Sequence, residues 1–247
     1  KYPFTSHDIE VEVGRVIDKE LKIPVDLSNP EINLAVEVVE NKTYMSVRRI
    51  EGLGGLPVGV SGKVVCLLSN GFDSPVAALR MMKRGCEPIL VHFHSYPNTP
   101  KDAIESVKKI VEIISSYSPI PLKLLLIPFA EVQNFIVSKI PSPLRVVMYR
   151  RWMLWIAEQV AMKERAHALV TGDSVGQVAS QTIENIEAVS EIVLLPILRP
   201  LAGHDKEEII NISKFYGTYE ISKLPYDDCC SLFLQGSPKT KVSVAEI

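Results

Sequence analysis

The sequence lacks the long apolar runs of a membrane-spanning protein. Its longest runs, residues 64–68 and 124–129, fall far short of the roughly 18 residues that cross a bilayer. Residues 1–4 carry no apolar signal core, and a chain that starts at Lys1 rather than Met is compatible with a start inside a longer one. We therefore expect no membrane association.

Cysteine is scarce and is not arranged for metal binding. The chain has four cysteines, with no CxxC pair and no Cys/His cluster. The sequence therefore predicts no metal-ligating residues, and a chain of this length does not need a disulfide scaffold. A reducing, cytoplasmic setting is the simplest expectation.

An excess of positive charge is also missing. Lys and Arg number 27 against 29 Asp and Glu, for a net charge of −2, which argues against indiscriminate nucleic-acid binding but leaves room for a local basic groove. A hydrophobic fraction of 47% over 247 residues is ordinary for a globular protein of one or two domains.

Glycine is concentrated at residues 52–62, which we interpret as an interdomain linker. Before it, the pattern predicts a helix at 8–21 and strands at 33–39 and 43–49, a small α/β piece. The predicted organisation is therefore an N-terminal domain portion at 1–51, a linker at 52–62 and a second domain at 63–247.

After the linker, short apolar runs alternate with helical patterns. Such alternation predicts a doubly wound parallel sheet, and the continuous hydrophobicity of the runs is typical of strands that helices cover on both faces. The predicted strands are 63–68, 88–94, 122–128, 168–171 and 192–197, and the predicted helices are 75–84, 101–117, 131–140, 144–164, 175–186 and 206–216.

The turn after the first of these strands has the composition of a phosphate-binding loop. Gly71 lets a phosphate approach the backbone, Ser69 and Ser74 add hydroxyl donors, and Pro75 suits the first position of the next helix. Asp73 can either cap that helix or hold Mg²⁺ on the phosphates. Taken alone, the pattern fits a polar capping turn equally well, and it is neither a Walker loop nor GxGxxG.

The order of residues in this turn resembles the SGGxDS pyrophosphate loop of PP-loop enzymes, with Asn70 in place of the first glycine. Asn tolerates a left-handed backbone, so we expect the loop to keep its shape. With the segments 171–182, 198–201, 205–210, 217–222 and 225–230, the chain resembles the tRNA 4-thiouridine synthetase family, also named for thiamine biosynthesis, over residues 1–241. Residues 48–57 resemble the end of that family's RNA-binding THUMP domain.

The resemblance implies an adenine nucleotide alpha-hydrolase-like (PP-loop) fold and ATP-dependent conversion of uridine 8 of tRNA to 4-thiouridine, with sulfur transfer to the thiamine thiazole as a second role. It implies ATP with Mg²⁺ as cofactors, a persulfide or sulfide donor such as a cysteine desulfurase, and a homodimer. The ATP-binding positions that it carries over are Leu68, Ser69, Asn70, Gly71, Asp73, Ser74, Phe93, His94, Arg150, Gly172 and Gln181, and Asp73 is also a candidate catalytic residue.

Two of these positions have a plainer interpretation. Arg150 has no acidic residue near it in the sequence, which favours an external anion as its partner, but a solvated helix end explains it too. His94 can equally be a structural histidine. Trp152 and Trp155 share a helical stripe that predicts core packing.

The cysteines divide into two kinds. Cys66 and Cys86 fall in or beside predicted strands and are expected to be fillers. Cys229 and Cys230 follow two acids in a polar segment, and the resemblance implies that a cysteine there accepts the sulfur. We favour Cys229 as the catalytic residue, and Cys230 stays open as the alternative.

Two rival functions remain. One is a PP-loop enzyme that adenylates a small molecule, which would need the loop but not a cysteine pair. The other is a non-catalytic RNA-binding module. Binding of tRNA would rest on local basic residues, for which the candidates are Lys42, Arg48, Arg49, Arg145 and Arg151.

Overall fold

A computed structural model describes residues 2–50, 52–225 and 237–247. The chain divides into two units, Lys1–Gly52 and Leu53–Ile247. Leu53 and the residues after it belong to the second unit, where Leu56 N–H donates to the Lys83 carbonyl (3.0 Å) and Gly59 N–H donates to the Gly85 carbonyl (2.8 Å). Most of the segment predicted as a linker is therefore bonded to the second unit.

The first unit contains one helix and one hairpin. Helix α1 (Ser6–Leu21) starts two residues earlier than predicted because Thr5 and Asp8 form a capping box, in which Thr5 N–H donates to the Asp8 carboxylate at 2.8 Å. Strands β1 (Ala35–Val39) and β2 (Lys42–Ser46) pair antiparallel across a two-residue turn, and Glu40 of that turn has a left-handed φ of 52°.

The second unit is built on a five-stranded parallel sheet. Its order is β5-β4-β3-β6-β7, so the first strand of the unit lies at the centre and the chain winds outward in both directions from it. The strands are β3 (Lys63–Leu67), β4 (Glu87–His94), β5 (Lys123–Pro128), β6 (Ala168–Val170) and β7 (Ile197–Leu198). The predicted doubly wound α/β class is confirmed.

Helices cover both faces of this sheet. Successive side chains of a strand point to opposite faces, and β3 carries apolar side chains on both, so each face is buried against helices. Val64 and Cys66 of β3 pack with one set of helices, and Val65 packs with the other. The first set contains α2 (Asp73–Lys83), α3 (Asp102–Ser116) and α7 (Lys206–Tyr216), and the second contains α4 (Ala130–Lys139), α5 (Arg145–Glu164) and α6 (Ile183–Ser190).

Shorter helices complete the unit. One turn of α-helix, α8 (Tyr219–Ser222), follows α7, and 3-10 turns occupy Ser142–Leu144, Ala179–Gln181 and Val244–Glu246. Among the described residues, none of the helices combines the length and apolarity that crossing a bilayer requires.

Several boundaries differ from the prediction, and three of the differences lie in the second unit near the ends of its strands. The predicted helix at 175–186 is instead a turn, in which Gly176 has a φ of 77°, and α6 begins only after Thr182 caps it by accepting from Asn185 N–H. The strand predicted at 192–197 is the two-residue β7. Helix α2 begins at Asp73, which makes Pro75 its third residue, a position whose N–H would also lack an intrahelical partner.

Candidate functional site

A cavity of about 450 Å³ opens at the carboxyl ends of β3, β4 and β6. This is the point where the strand order reverses, and open α/β sheets bind their ligands there because the loops on either side diverge. All eleven predicted ATP-binding positions line the cavity, namely Leu68, Ser69, Asn70, Gly71, Asp73, Ser74, Phe93, His94, Arg150, Gly172 and Gln181.

The first wall of the cavity is the turn at residues 69–74, here called the first turn. It is held by neutral hydrogen bonds within itself: Ser69 N–H donates to Ser74 Oγ at 2.7 Å, the two hydroxyl oxygens lie 3.0 Å apart, and Gly71 N–H donates to Ser69 Oγ at 3.3 Å. It leads directly into α2, whose first N–H groups have no partner within the helix. The first turn therefore offers hydroxyl and N–H donors to an anion.

The backbone of the first turn differs from our expectation for Asn70. Neither Asn70 nor Gly71 has a positive φ, so a left-handed conformation is not what suits Asn to this position. A Cβ added to Gly71 would meet only Ser69 Oγ, at an ordinary 3.6 Å. The protein therefore has no conformational need for glycine at position 71, and the absent side chain leaves space in the cavity.

Asp73 connects the first turn to two distant segments of the chain. It does not cap α2 with its side chain. One carboxylate oxygen lies 2.9 Å from Lys206 Nζ and the other accepts from Gln177 Nε2 at 3.0 Å. Sequence analysis missed both partners, which lie 133 and 104 residues away along the chain.

The opposite wall is the segment 172–181 after β6, here called the second turn. Gly172 brings it against the first turn: a Cβ at Gly172 would lie 2.7 Å from Ser74 N and 2.8 Å from Asp73 C. Both atoms are backbone, so no side-chain movement relieves the clash. Glycine at position 172 is therefore required by the packing of the two turns.

A buried ion cluster fixes the second turn. The Asp173 carboxylate lies 2.6 Å from Arg150 Nη2 and 3.2 Å from Arg199 Nε, and it accepts from Thr171 Oγ1 at 2.8 Å. Burial alone would raise the pKa of Asp173, but Arg150, Thr171 and Arg199 together hold that pKa below the usual range. Asp173 is therefore ionised at neutral pH, and sequence analysis did not single it out.

The Arg150 side chain pairs with other protein groups and is not a solvated helix end. Besides Asp173, it donates from Nη1 to the Ser180 carbonyl at 2.6 Å. Sequence analysis found no acidic residue near Arg150 because Asp173 comes 23 residues later, on another element. The guanidinium nevertheless lines the cavity, at the junction of α5 and the second turn.

The end of β4 supplies an aromatic and an imidazole. Phe93 is 5% exposed and packs edge-on against Phe129, with ring centroids 5.4 Å apart. Burial lowers the pKa of His94, so its imidazole is neutral at pH 7. His94 Nδ1 is buried and has no hydrogen-bond partner among the described residues.

Unpaired polar atoms are concentrated around this cavity. Asn70 Oδ1 and Gln181 Oε1, like His94 Nδ1, are buried and without a partner in the described part of the chain. Buried polar atoms are normally hydrogen-bonded, and each exception calls for an explanation. Three such atoms around one cavity indicate that it binds a polar ligand, and with the donors of the first turn they fit a nucleotide. Residues 2–50, 52–225 and 237–247 contain no cluster of metal-ligating side chains.

The cysteines predicted to act, Cys229 and Cys230, lie outside the described residues. Cys66 and Cys86 are 1% and 6% exposed, and burial raises the pKa of both thiols. Their predicted role as core fillers is consistent with this burial.

The structure places three side chains differently from the prediction: two arginines expected on the surface bond to other parts of the protein, and a tryptophan expected in the core is exposed. Arg151, a candidate for RNA contact, is 9% exposed, donates to the Ala188 carbonyl and pairs with Glu191. Arg145, another candidate, donates to the carbonyls of Val137 and Ile140. Trp155, predicted as core, is 41% exposed and packs edge-on against Trp152.

Comparison with known proteins gives family matches over both units. The family model described as thiamine biosynthesis protein (ThiI) matches residues 59–247, and the THUMP domain model matches residues 1–48. A probable tRNA sulfurtransferase of Thermus thermophilus is 47% identical over 240 residues, which cover 97% of this chain and 59% of that protein.

Two further relatives agree with these matches. A probable tRNA sulfurtransferase of Caldanaerobacter subterraneus subsp. tengcongensis is 44% identical, over 100% of this chain and 64% of its own length. The crystal structure of a 4-thiouridine synthetase in complex with RNA and ATP matches with a TM-score of 0.90 at 40% identity, over 100% of this chain and 64% of that one. The chain thus spans less than two thirds of the length of these relatives.

Proposed function

Since the chain belongs to the thiamine biosynthesis protein (ThiI) family, as its motifs predicted, we propose that it is an ATP-dependent tRNA sulfurtransferase that converts uridine 8 of tRNA to 4-thiouridine. The observation that carries the proposal is the single cavity at the switch point of the sheet, where all eleven family positions meet. Relatives described as tRNA sulfurtransferases and as a 4-thiouridine synthetase support it.

The chemistry begins when ATP adenylates uracil O4 with loss of pyrophosphate and of the N3 proton. The outer sulfur of a persulfide then attacks C4 and AMP leaves, and a second thiol cleaves the resulting disulfide to release 4-thiouridine. In this chain, the first turn binds the phosphates with the Ser69 and Ser74 hydroxyls and with N–H groups at the start of α2. Glycine at position 71 leaves room for that approach. Asp73, which Lys206 and Gln177 orient, would hold Mg²⁺, and the ion would supply neutralisation of phosphate charge.

The other walls recognise the rest of the nucleotide. His94 Nδ1 and Gln181 Oε1 pair with polar groups of the adenosine, and Phe93 supplies an apolar surface beneath it. Arg150 neutralises phosphate charge while Asp173 keeps its guanidinium in place. Cys229 accepts the outer sulfur of a protein-borne persulfide, whose own cysteine leaves as a thiol, and Cys230 is the alternative acceptor. Sulfide as a donor would instead attack the adenylated carbon directly, without a cysteine carrier. A role in thiamine thiazole synthesis would use the same sulfur step.

The test is incubation of the full chain with ATP, Mg²⁺, a cysteine desulfurase with its cysteine substrate, a thiol reductant and unmodified tRNA. We expect pyrophosphate release that depends on tRNA, together with the near-ultraviolet absorbance of 4-thiouridine. Asp73→Asn should lose both signals, whereas the exposed control Asp102→Asn should lose neither. Cys229→Ser should release pyrophosphate without forming thiouridine.

Three results would contradict the proposal or redirect it. Pyrophosphate released equally with and without tRNA would favour a small-molecule adenylating enzyme, the first rival function. RNA binding without either product would favour a non-catalytic RNA-binding module. Full activity of Cys229→Ser would transfer the sulfur-accepting role to Cys230.

A further inference from the structure

Two aromatic rings stack at the edge of the cavity. The rings of Phe72, in the first turn, and Tyr219, in α8, have centroids 5.6 Å apart and planes inclined by 25°. Ser222 of α8 also donates its hydroxyl to the Gly71 carbonyl at 3.3 Å. Helix α8 is therefore joined to the first turn, and the ring pair borders the cavity that Gly71 and Ser222 line.

Three lysine ammonium groups lie against these two rings. Lys206 Nζ is 5.1 Å from the ring centroid of Phe72. Lys214 Nζ and Lys223 Nζ are 5.1 and 5.6 Å from the ring centroid of Tyr219. All three lysines are exposed to solvent. We call the two rings and the three lysines the lysine–aromatic patch, which sequence analysis did not identify.

The protein neutralises the three charges of the patch to different degrees. Lys206 lies 2.9 Å from the Asp73 carboxylate and is therefore occupied by the first turn. Lys223 pairs with Glu220, but the Glu220 side chain is 72% exposed, and an ion pair on the surface is weak enough for another anion to replace it. Lys214 forms no ion pair with any described residue. The patch thus offers two ammonium groups to an external anion.

The chemistry and the position of the patch both fit an RNA backbone. Lysines bind phosphates as point charges, and basic groups beside aromatic rings are typical of surfaces that bind single-stranded nucleic acid. Phe72 stands between residues 71 and 73, and Lys223 between residues 222 and 224, and all four of these neighbours line the cavity. An RNA base that enters the cavity therefore leaves its flanking phosphates beside the patch.

The second unit otherwise lacks an assigned RNA contact. Arg145 and Arg151, the two arginines predicted for that role, donate to carbonyl groups of the protein. Their guanidinium groups are therefore engaged inside the unit, whereas the ammonium groups of Lys214 and Lys223 lie at its surface. The lysine–aromatic patch is the better candidate for the contact.

We propose that the lysine–aromatic patch binds the RNA backbone next to the target uridine, with Lys214 and Lys223 as ligands of the two flanking phosphates. This inference rests on the proposed function and assigns an RNA-binding surface to it. The ring of Tyr219 keeps both ammonium groups near the cavity by cation–π contact. Because the contacts are with phosphates, they position the RNA without reading its sequence.

The test measures binding of unmodified tRNA to the full chain without ATP, over a range of salt concentrations. Lys214→Gln and Lys223→Gln each remove one ammonium group. We expect each to weaken binding about fivefold at physiological salt and to reduce the slope of log K against log salt by about 0.7–0.9, the value for one phosphate contact. Lys214→Arg keeps the charge and should keep the wild-type slope. Affinity for ATP should not change in any of these variants.

Lys163→Gln is the matched control. Lys163 is an exposed lysine at the end of α5, next to Glu164, which pairs with Lys123 at the start of β5. It therefore lies at the edge of the sheet opposite the cavity. Its substitution removes the same charge and should change neither the affinity for tRNA nor the salt slope.

A change in the RNA locates the contact. A tRNA with uncharged methylphosphonate linkages on both sides of uridine 8 should bind the wild type as weakly as unmodified tRNA binds the double variant Lys214→Gln, Lys223→Gln. The double variant should lose no further affinity for this tRNA, because both changes remove the same bonds. Unchanged binding of this tRNA by the wild type would overturn the proposal, whether or not the variants fold.

The other outcomes separate this proposal from the proposed function. Binding is measured without turnover, so an absence of thiouridine formation overturns the proposed function while the binding data still decide the role of the patch. Folded Gln variants with the wild-type salt slope would overturn the patch. If they bound tRNA normally but raised the KM for the desulfurase, the patch would instead be a contact for that protein. Effects of the lysine and methylphosphonate changes that multiply would also overturn the assignment to the flanking phosphates.

Discussion

The two turns that face each other across the cavity are held by opposite means. Within the first turn the bonds are neutral and join its own hydroxyls and N–H groups, and its one ion pair, Asp73–Lys206, is partly exposed. The second turn instead rests on a buried carboxylate between two guanidinium groups. Their glycines differ in the same way: the packing requires Gly172, whereas no contact among the described residues requires Gly71. The second turn thus sets the shape of the site, and the first is left free to meet a ligand.

The largest loss of stability should follow Asp173→Asn. Removal of the buried charge leaves Arg150 and Arg199 without their counter-charge, and breaking a buried pair in this way costs about 3–5 kcal/mol. Urea unfolding at pH 7 measures the change. The exposed control Asp102→Asn should alter the free energy of unfolding by about 1 kcal/mol or less.

The same variant gives a pH test. The pKa of Asp173 is depressed in the folded state, so the stability that it contributes is fully present above the ordinary carboxyl pKa of about 3.9. This contribution is lost as the pH falls through the lower, folded-state pKa. The difference in unfolding free energy between wild type and Asp173→Asn should therefore shrink below about pH 4, and a constant difference would contradict the assignment of the charge.

A smaller loss is expected for Gly172→Ala. The added methyl would overlap backbone atoms of Ser74 and Asp73 and force the turns apart, at a cost of about 1–3 kcal/mol. Nucleotide binding should fall as well, because the first turn is displaced. Thermal unfolding and ATP calorimetry measure the two effects. Gly203→Ala, where an added Cβ has no atom within 4 Å, should change neither.

The smallest change in stability is expected for Gly71→Ala, and this variant tests the contrast most directly. Its methyl meets only Ser69 Oγ at 3.6 Å, so the free energy of unfolding should move by less than about 0.5 kcal/mol. Affinity for ATP should nevertheless fall about tenfold or more because the methyl would occupy the space that we propose for the phosphates. A destabilisation as large as that of Gly172→Ala would erase the distinction between the turns.

The sequence was informative where a local pattern decides the structure. The five apolar runs predicted the sheet, and α7 has the predicted bounds because Asp205 and Glu208 form a capping box at one end and Gly217 closes the other. The eleven positions that the family resemblance predicted for ATP binding also line one cavity, although their contacts with ATP stay predictions.

The sequence was uninformative where contacts between distant segments of the chain determine the structure. Sequence analysis found no protein partner for Arg150 because it considered only neighbours in the chain. Asp173, which is 23 residues away, comes next to Arg150 because it follows β6, a neighbour of β3 in the sheet. Arg151 looked equally available but is covered by α6. The helix predicted at 175–186 failed because a left-handed Gly176 and the cap at Thr182 override its helical pattern.

The burial of Cys66 and Cys86 turns thiol labelling into a site-specific probe. A mild alkylating reagent reacts with exposed thiolates, and these two thiols are shielded by the sheet and its helices. The mass added to the folded chain therefore counts modification at Cys229 and Cys230 alone. The persulfide loading and turnover that we propose for the pair can then be tested on the unaltered chain, with no need to replace its other cysteines.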